Sequence, residues 1–146
     1  MRNEGPLRSL TDVKEKTDIR ETILVVEDDV LVRMPIAQYL RDCGYRVIEA
    51  VNAAEAMSVL THVETVVDVV FSDIEMPGAV DGFGLAKWIR EHQPGLDVLL
   101  AGTVRRAVEG AKELCEQGPI PKPYDVQIVH KHIRRLLAGR KSAQLR

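Results

Sequence analysis

Four short apolar runs separated by helix-period segments constrain this chain more than any other feature. Ile23-Leu24-Val25-Val26 is continuous, Val47-Ile48 is a shorter second run, Val66 to Phe71 is broken only by Asp68, and Val98-Leu99-Leu100-Ala101 is a fourth. Ile120, set among prolines, is a weak fifth. Runs without polar alternation suit strands that are buried on both faces, which is the state of a parallel sheet.

The intervening segments carry helical spacing. Val32, Ile36 and Leu40 form a first stripe before Gly44, with Pro35 predicted either to sit in the first turn or to kink the helix. Ala53, Ala56, Met57 and Leu60 form a second, and Asn52 with Glu55 resembles a capping box at its start. Leu85, Trp88 and Ile89 form a third, ended by Pro94-Gly95. Val104, Ala107, Val108, Ala111 and Cys115 form a fourth, ended by Gly118. Val126, Val129, Ile133, Leu136 and Leu137 form a fifth, with Asp125 as its N-cap. Five strands alternating with five helices predict a doubly wound α/β fold with helices on both faces of the sheet. Ligands of such sheets bind outside the carboxyl ends of the strands, where the winding reverses.

Composition narrows the class. The chain has 146 residues, 45% hydrophobic and 29% charged, which predicts one compact domain and leaves no room for an output domain. Residues 1–20 read as a polar tail, 21–140 as the domain, and 141–146 as a polar end expected to fray. Twenty Lys and Arg against 22 Asp and Glu give a net charge of −2, so no nucleic-acid partner is expected. No apolar run nears the ~20 residues of a membrane span, and the N-terminus lacks a signal-peptide core. Two cysteines fit a reducing, cytoplasmic setting. Cys43 and Cys115 lie on apolar stripes and read as packing residues, and His62, His92, His130 and His132 read as surface residues. Trp88 reads as a packing residue, and Lys131, Arg134 and Arg135 as a solvated basic face.

The strand ends carry the chemistry. Glu27-Asp28-Asp29 follows the first run, and Asp73 and Glu75 follow the third. If strands one and three are neighbours, as in flavodoxin-like order, these carboxylates converge and repel. A divalent cation relieves that repulsion, and a small cluster of hard oxygen donors suits Mg²⁺. Lys122, after the fifth strand, is placed to complete the charge balance. Asp29 is equally well read as the N-cap of the first helix.

The segments ILVVEDD (23–29), VVFSDIEMPG (69–78), DGFGLAKWIR (81–90) and KPYD (122–125) together resemble a bacterial two-component response-regulator receiver domain over residues 21–140. The resemblance implies a (βα)5 fold with strand order 2-1-3-4-5. It implies that Asp73 is a phosphoacceptor, that Asp28 binds Mg²⁺ directly, and that Glu27 acts through metal-bound water. It further implies that the backbone carbonyl of Glu75 is the remaining protein ligand and that Lys122 pairs with the acceptor or the phosphoryl oxygens. A carboxylate nucleophile splits one transfer into two steps, and metal and lysine neutralise the transferring group. The implied donor is a sensor histidine kinase or a His-containing phosphotransfer protein, and the implied output is contact with an unidentified downstream protein or phosphate relay. Dimerisation through the fourth and fifth helices is common in the family.

Two positions depart from the family pattern. A Thr or Ser follows strand four in the family and an aromatic residue occupies strand five; here the matching positions are Ala101 and Pro119, with Thr103 two residues beyond Ala101. The loop at residues 78–82 is one residue longer than the commonest form. The acceptor chemistry is expected to survive these changes, and the usual two-residue switch is not. A phosphorylation-independent interaction module is the alternative. A haloacid-dehalogenase-type phosphatase is disfavoured, because its nucleophile lies on the first strand with a second Asp two residues later.

Overall fold

The computed structural model of the protein describes residues 20–102 and 119–145, with side chains as far as residue 140. Its elements are β1 (Thr22–Val26), α1 (Val30–Asp42), β2 (Arg46–Ala50), α2 (Ala53–Thr61), β3 (Val69–Asp73), α3 (Gly82–His92), β4 (Asp97–Gly102), β5 (Ile120–Pro121) and α4 (Val126–Leu145). The last of these is the fifth helix expected from the sequence. The expected fourth, over Val104 to Cys115, lies outside the described residues, as do the polar tail up to residue 19 and Thr103.

The five strands are parallel and ordered β2-β1-β3-β4-β5, as expected for a flavodoxin-like receiver fold. Every residue of β1 and of β3 is buried, which is why their apolar runs show no alternation. Successive side chains still point to opposite faces. Ile23, Val25, Val69, Phe71 and Leu99 pack with Ile36 and Leu40 of α1 and with Val129, Ile133 and Leu137 of α4. Leu24, Val26 and Val70 pack on the other face with Ala56 and Leu60 of α2 and with Leu85 and Ile89 of α3. Trp88 lies at the edge of this second core, as a packing residue should.

Helix starts follow the sequence. Asp29 caps α1 by accepting from Leu31 N–H at 2.9 Å, and Asp125 caps α4 by accepting from Gln127 N–H at 2.8 Å. Asn52 accepts from Glu55 N–H at 2.8 Å, while the Glu55 carboxylate reaches back to Val51 N–H, one residue before the cap. Pro35 lies past the first turn, and α1 runs on through it to Asp42. The missing proline donor frees the carbonyl of Leu31, whose residue is 81% exposed, so water can satisfy it.

Several expectations are corrected. The third strand begins at Val69 rather than Val66, because Asp68 acts as its gatepost: Thr22 N–H donates to Asp68 Oδ2 at 2.8 Å, and Asp68 N–H donates to Thr22 O at 2.8 Å. Val66 is left exposed. The polar C-terminal end does not stop short of helix, since α4 continues to Leu145. Arg140 ties that helix to the sheet, donating to Asp68 O at 2.8 Å and facing Asp68 Oδ1 at 3.4 Å. Cys43 is exposed at the C-cap of α1 rather than packed. His130 is half-buried against α1 rather than free on the surface. Lys131, Arg134 and Arg135 are exposed, as expected. Among the described residues, no helix is long and apolar enough to cross a membrane.

Asp68 therefore serves both a backbone donor and a distant helix. Asp68→Ala is expected to cost about 1–3 kcal/mol, because it strands the part-buried Thr22 N–H. Arg140→Ala removes a partly exposed ion pair and is expected to cost under about 1 kcal/mol. Denaturant midpoints at constant slope measure both; an Arg140 effect as large as that of Asp68 would contradict the assignment.

Candidate functional site

The register of the ladder assembles the site. Val26 lies opposite Ser72, so the next residues in each strand, Glu27 and Asp73, emerge side by side. Asp73 in turn lies opposite Ala101. The short β5 pairs Ala101 with Ile120 and Gly102 with Pro121, after which Lys122 N–H donates to Gly102 O at 2.6 Å. Pro121 on this edge strand leaves no central ladder bond unmade. That pairing delivers the Lys122 ammonium over the two carboxylates.

Ligand-capable oxygens of Glu27, Asp28 and Asp73 all lie within 4.8 Å of one another. Lys122 Nζ donates to Glu27 Oε1 at 3.0 Å and forms an ion pair with Asp73 Oδ1 at 2.8 Å. Glu27 and Asp73 are each 4% exposed, whereas Asp28 faces solvent. The backbone N–H of Glu75 also hydrogen-bonds the Asp73 carboxylate, so Glu75 enters the site through its main chain while its side chain is exposed.

The charges are unequal. Burial pushes the Asp73 carboxyl above its usual range, and Lys122 and the Glu75 N–H oppose this only in part. Burial likewise raises Glu27, with the Asp73 charge adding to the effect and Lys122 opposing it. Burial alone would lower the Lys122 ammonium, but its hydrogen bonds and charge interactions with Asp73 and Glu27 outweigh that and raise it. One cation thus faces two buried carboxylates and a third at the rim. The donor set is all oxygen and carries surplus negative charge, which fits a hard divalent cation.

The surroundings hold this arrangement. Glu27 Oε2 accepts from Asp29 N–H at 3.1 Å, which ties the acid to the start of α1. Arg33 donates to the Glu27 carbonyl at 2.9 Å and pairs with Glu49 at 2.9 Å. Gly82 opens α3 against the end of β3; a Cβ there would overlap the Asp73 carbonyl and lie 2.6 Å from Ile74 Cα. Gly78, at φ 107°, turns the loop between them. Tyr124 stands edge-on to Phe71 with ring centroids 5.5 Å apart, and burial, then the Glu27 charge, pushes its hydroxyl up to about 12.

The sequence-predicted residues Glu27, Asp28, Asp73 and Lys122 are therefore brought together. Ala101 and Pro119 are both buried, and neither supplies a hydroxyl or an aromatic ring beside Asp73. Sequence reasoning passed over Arg33 and Tyr124. A single arginine in the otherwise apolar first half of α1 was the available signal for the former, and the aromatic residue inside KPYD for the latter.

Replacing Asp73 with Asn removes one buried negative charge. In metal-free buffer Asp73→Asn is expected to melt several degrees higher than the parent, equivalent to about 1 kcal/mol. Because the Asp73 pKa is raised in the fold, its cost is present where it is ionised and disappears as the pH falls through the carboxylate range. The difference in melting temperature should shrink toward acid pH; a difference that grows there would refute this reading.

Comparison with known proteins agrees with this geometry. The chain matches the response regulator receiver domain family across residues 23–134. It is 30% identical over 131 residues to the sensor kinase CckA of Brucella abortus, covering 86% of this chain and 14% of that protein. It is 31% identical over 122 residues to a cyclic di-GMP phosphodiesterase of Thermotoga maritima, covering 82% of this chain and 32% of that protein. The chain thus spans a third or less of these relatives. Among solved structures, a response regulator receiver protein from Sinorhizobium medicae superposes with a TM-score of 0.75 at 24% identity, covering 84% of this chain and 98% of the other. The receiver domain of a histidine kinase from Syntrophus aciditrophicus gives 0.72 at 28% identity, covering 82% and 91%. With the acids at the ends of β1 and β3, the lysine after β5 and the family match across most of its length, the chain belongs to the response regulator receiver domains of two-component systems.

Proposed function

We propose that this protein accepts a phosphoryl group on Asp73 from a sensor histidine kinase or a His-containing phosphotransfer protein, in the cytoplasm. The observation that carries the reading is the cluster itself: Glu27, Asp28 and Asp73 oxygens within 4.8 Å, with Lys122 2.8 Å from the acceptor. Taking two carboxylates out of water against one ammonium costs desolvation that pairing alone does not return, which favours a functional role for the cluster.

In the transfer, an Asp73 carboxylate oxygen attacks phosphorus, the phosphorus–nitrogen bond of the donor phosphohistidine breaks, and the imidazole leaves. Lys122, already within contact distance of Asp73, follows the phosphoryl oxygens and neutralises part of their charge. Asp28, Glu27, Asp73 and the backbone carbonyl of Glu75 would hold Mg²⁺, which supplies the remaining charge neutralisation. Hydrolysis of the acyl phosphate resets the protein, so its only catalysis is on itself.

A groove of about 430 Å³ beside Lys122, lined by Leu31, Pro35, Pro123, Tyr124 and Val126, supports docking of a protein donor next to the acceptor. Val30, Leu31, Met34 and Ile128 are exposed apolar side chains of α1 and α4, the two helices whose residues line it. The output is contact with a downstream protein or onward relay, and a homodimer through the fourth and fifth helices expected from the sequence is compatible with it. Ala101 and Pro119 cannot perform the hydroxyl-and-aromatic switch, so the phosphoryl signal takes another route, with Thr103 the nearest hydroxyl in sequence. The same two residues favour the second reading, a phosphorylation-independent interaction module.

Intact-mass measurement after incubation with Mg²⁺ and a small phosphodonor separates the two. The phosphoacceptor reading predicts a phosphoryl-sized increase that Asp73→Asn abolishes. No increase would favour the module, and an increase that survives the substitution would overturn Asp73 as the acceptor.

A further inference from the structure

On the face of the sheet covered by α1 and α4, away from the carboxylate cluster, three chemistry-bearing side chains meet. Cys43 Sγ lies 3.5 Å from His130 Nδ1, and the other ring nitrogen, Nε2, lies 3.1 Å from the Tyr45 hydroxyl. The rings of Tyr45 and Tyr39 stand edge-on to the imidazole, with centroids at 5.4 Å and 6.1 Å, so His130 is clamped between two aromatics. Cys43 itself is exposed. This is the arrangement of an activated nucleophile: a thiol within reach of a base, and a third group that fixes the base.

We propose that Cys43 is a reactive thiol, with His130 as its base and Tyr45 as the residue that orients His130, and that it is a site of reversible oxidation by hydroperoxides. His130 Nδ1 takes the thiol proton. The thiolate attacks one peroxide oxygen, a sulfur–oxygen bond forms, and the oxygen–oxygen bond breaks. Attack falls on the terminal oxygen, and the departing alkoxide, or hydroxide from hydrogen peroxide, takes the proton back from the imidazolium as alcohol or water. Sulfur is oxidised by two electrons to a sulfenic acid and the peroxide is reduced, with thiols restoring the cysteine.

The location makes His130 decisive. Cys43 caps the C-terminus of α1, where its own N–H bonds to the carbonyls of Tyr39 and Leu40. Carbonyl dipoles at that end oppose a thiolate, so a cysteine there without a neighbouring base would be sluggish. Burial and the adjacent Arg134 charge lower the proton affinity of His130, so its hold on the thiol proton depends on the contacts with Cys43 and Tyr45. The groups facing this ring are Tyr39 and Cys43 of α1, Tyr45 before β2, and Arg134 of α4. None is a carboxylate that would hold the ring protonated.

The inference is independent of phosphorylation at Asp73. Iodoacetamide labelling at neutral pH, mapped by peptide mass to separate Cys43 from Cys115, reads it directly. Cys43 in the folded protein should react about tenfold faster than free cysteine, because His130 is placed to take the thiol proton as sulfur attacks. His130→Gln should remove that excess. Tyr45→Phe keeps the ring packing and should slow labelling several-fold, which keeps the test decisive if His130→Gln does not fold. Hydroperoxide followed by a sulfenic-acid trap should mark the same peptide. Labelling at the rate of free cysteine, or an unchanged rate in both variants, would overturn the proposal.

Discussion

A single ammonium shared between two buried carboxylates is the interaction around which this molecule is arranged. Lys122 stands 3.0 Å from Glu27 and 2.8 Å from Asp73. Removing the ammonium would leave two buried carboxylates uncompensated, which is among the larger penalties a fold can meet. The sheet exists in the register that makes the contact possible: Val26 beside Ser72, Asp73 beside Ala101, Gly102 beside Pro121. A slip of one residue in any of these ladders would send one of the three groups to the other face.

The same register sets what stands beside Asp73 on the neighbouring strands. Ala101 sits directly opposite Asp73 and is buried, so a methyl occupies the place from which a hydroxyl would reach the acceptor. Pro119 is buried just before β5 and has a ring that cannot change rotamer. The aromatic residue that does lie near the site is Tyr124, packed edge-on against Phe71 on the face shared by α1 and α4.

Much of the architecture was legible because burial on both faces removes alternation: β1 and β3 could be read from unbroken apolar runs. The caps Asp29, Asn52 and Asp125 were legible because their chemistry is local. What escaped was long-range. Asp68 interrupts an apolar run in sequence, yet it defines where β3 starts by meeting Thr22 and Arg140, 46 and 72 residues away. Cys43 and His130 looked like a stripe residue and a surface residue because their partnership spans 87 positions. For the site, the acids and lysine were visible as residue types at strand ends, but the unequal burial of Glu27 and Asp73 against exposed Asp28 is a property of the packed fold alone.

With more negative charge than Lys122 can balance, the cluster is proposed to be completed by a divalent cation. Thermal unfolding of the parent protein and of Asp28→Asn, each in chelator and across a Mg²⁺ titration, tests it most directly. Asp28 is exposed, so its substitution alters the donor set with little effect on packing. The parent's melting temperature should rise steadily with Mg²⁺ concentration, as binding to the folded state alone requires, and Asp28→Asn should lose most of that rise. A parent protein that melts at the same temperature with and without Mg²⁺ would contradict it.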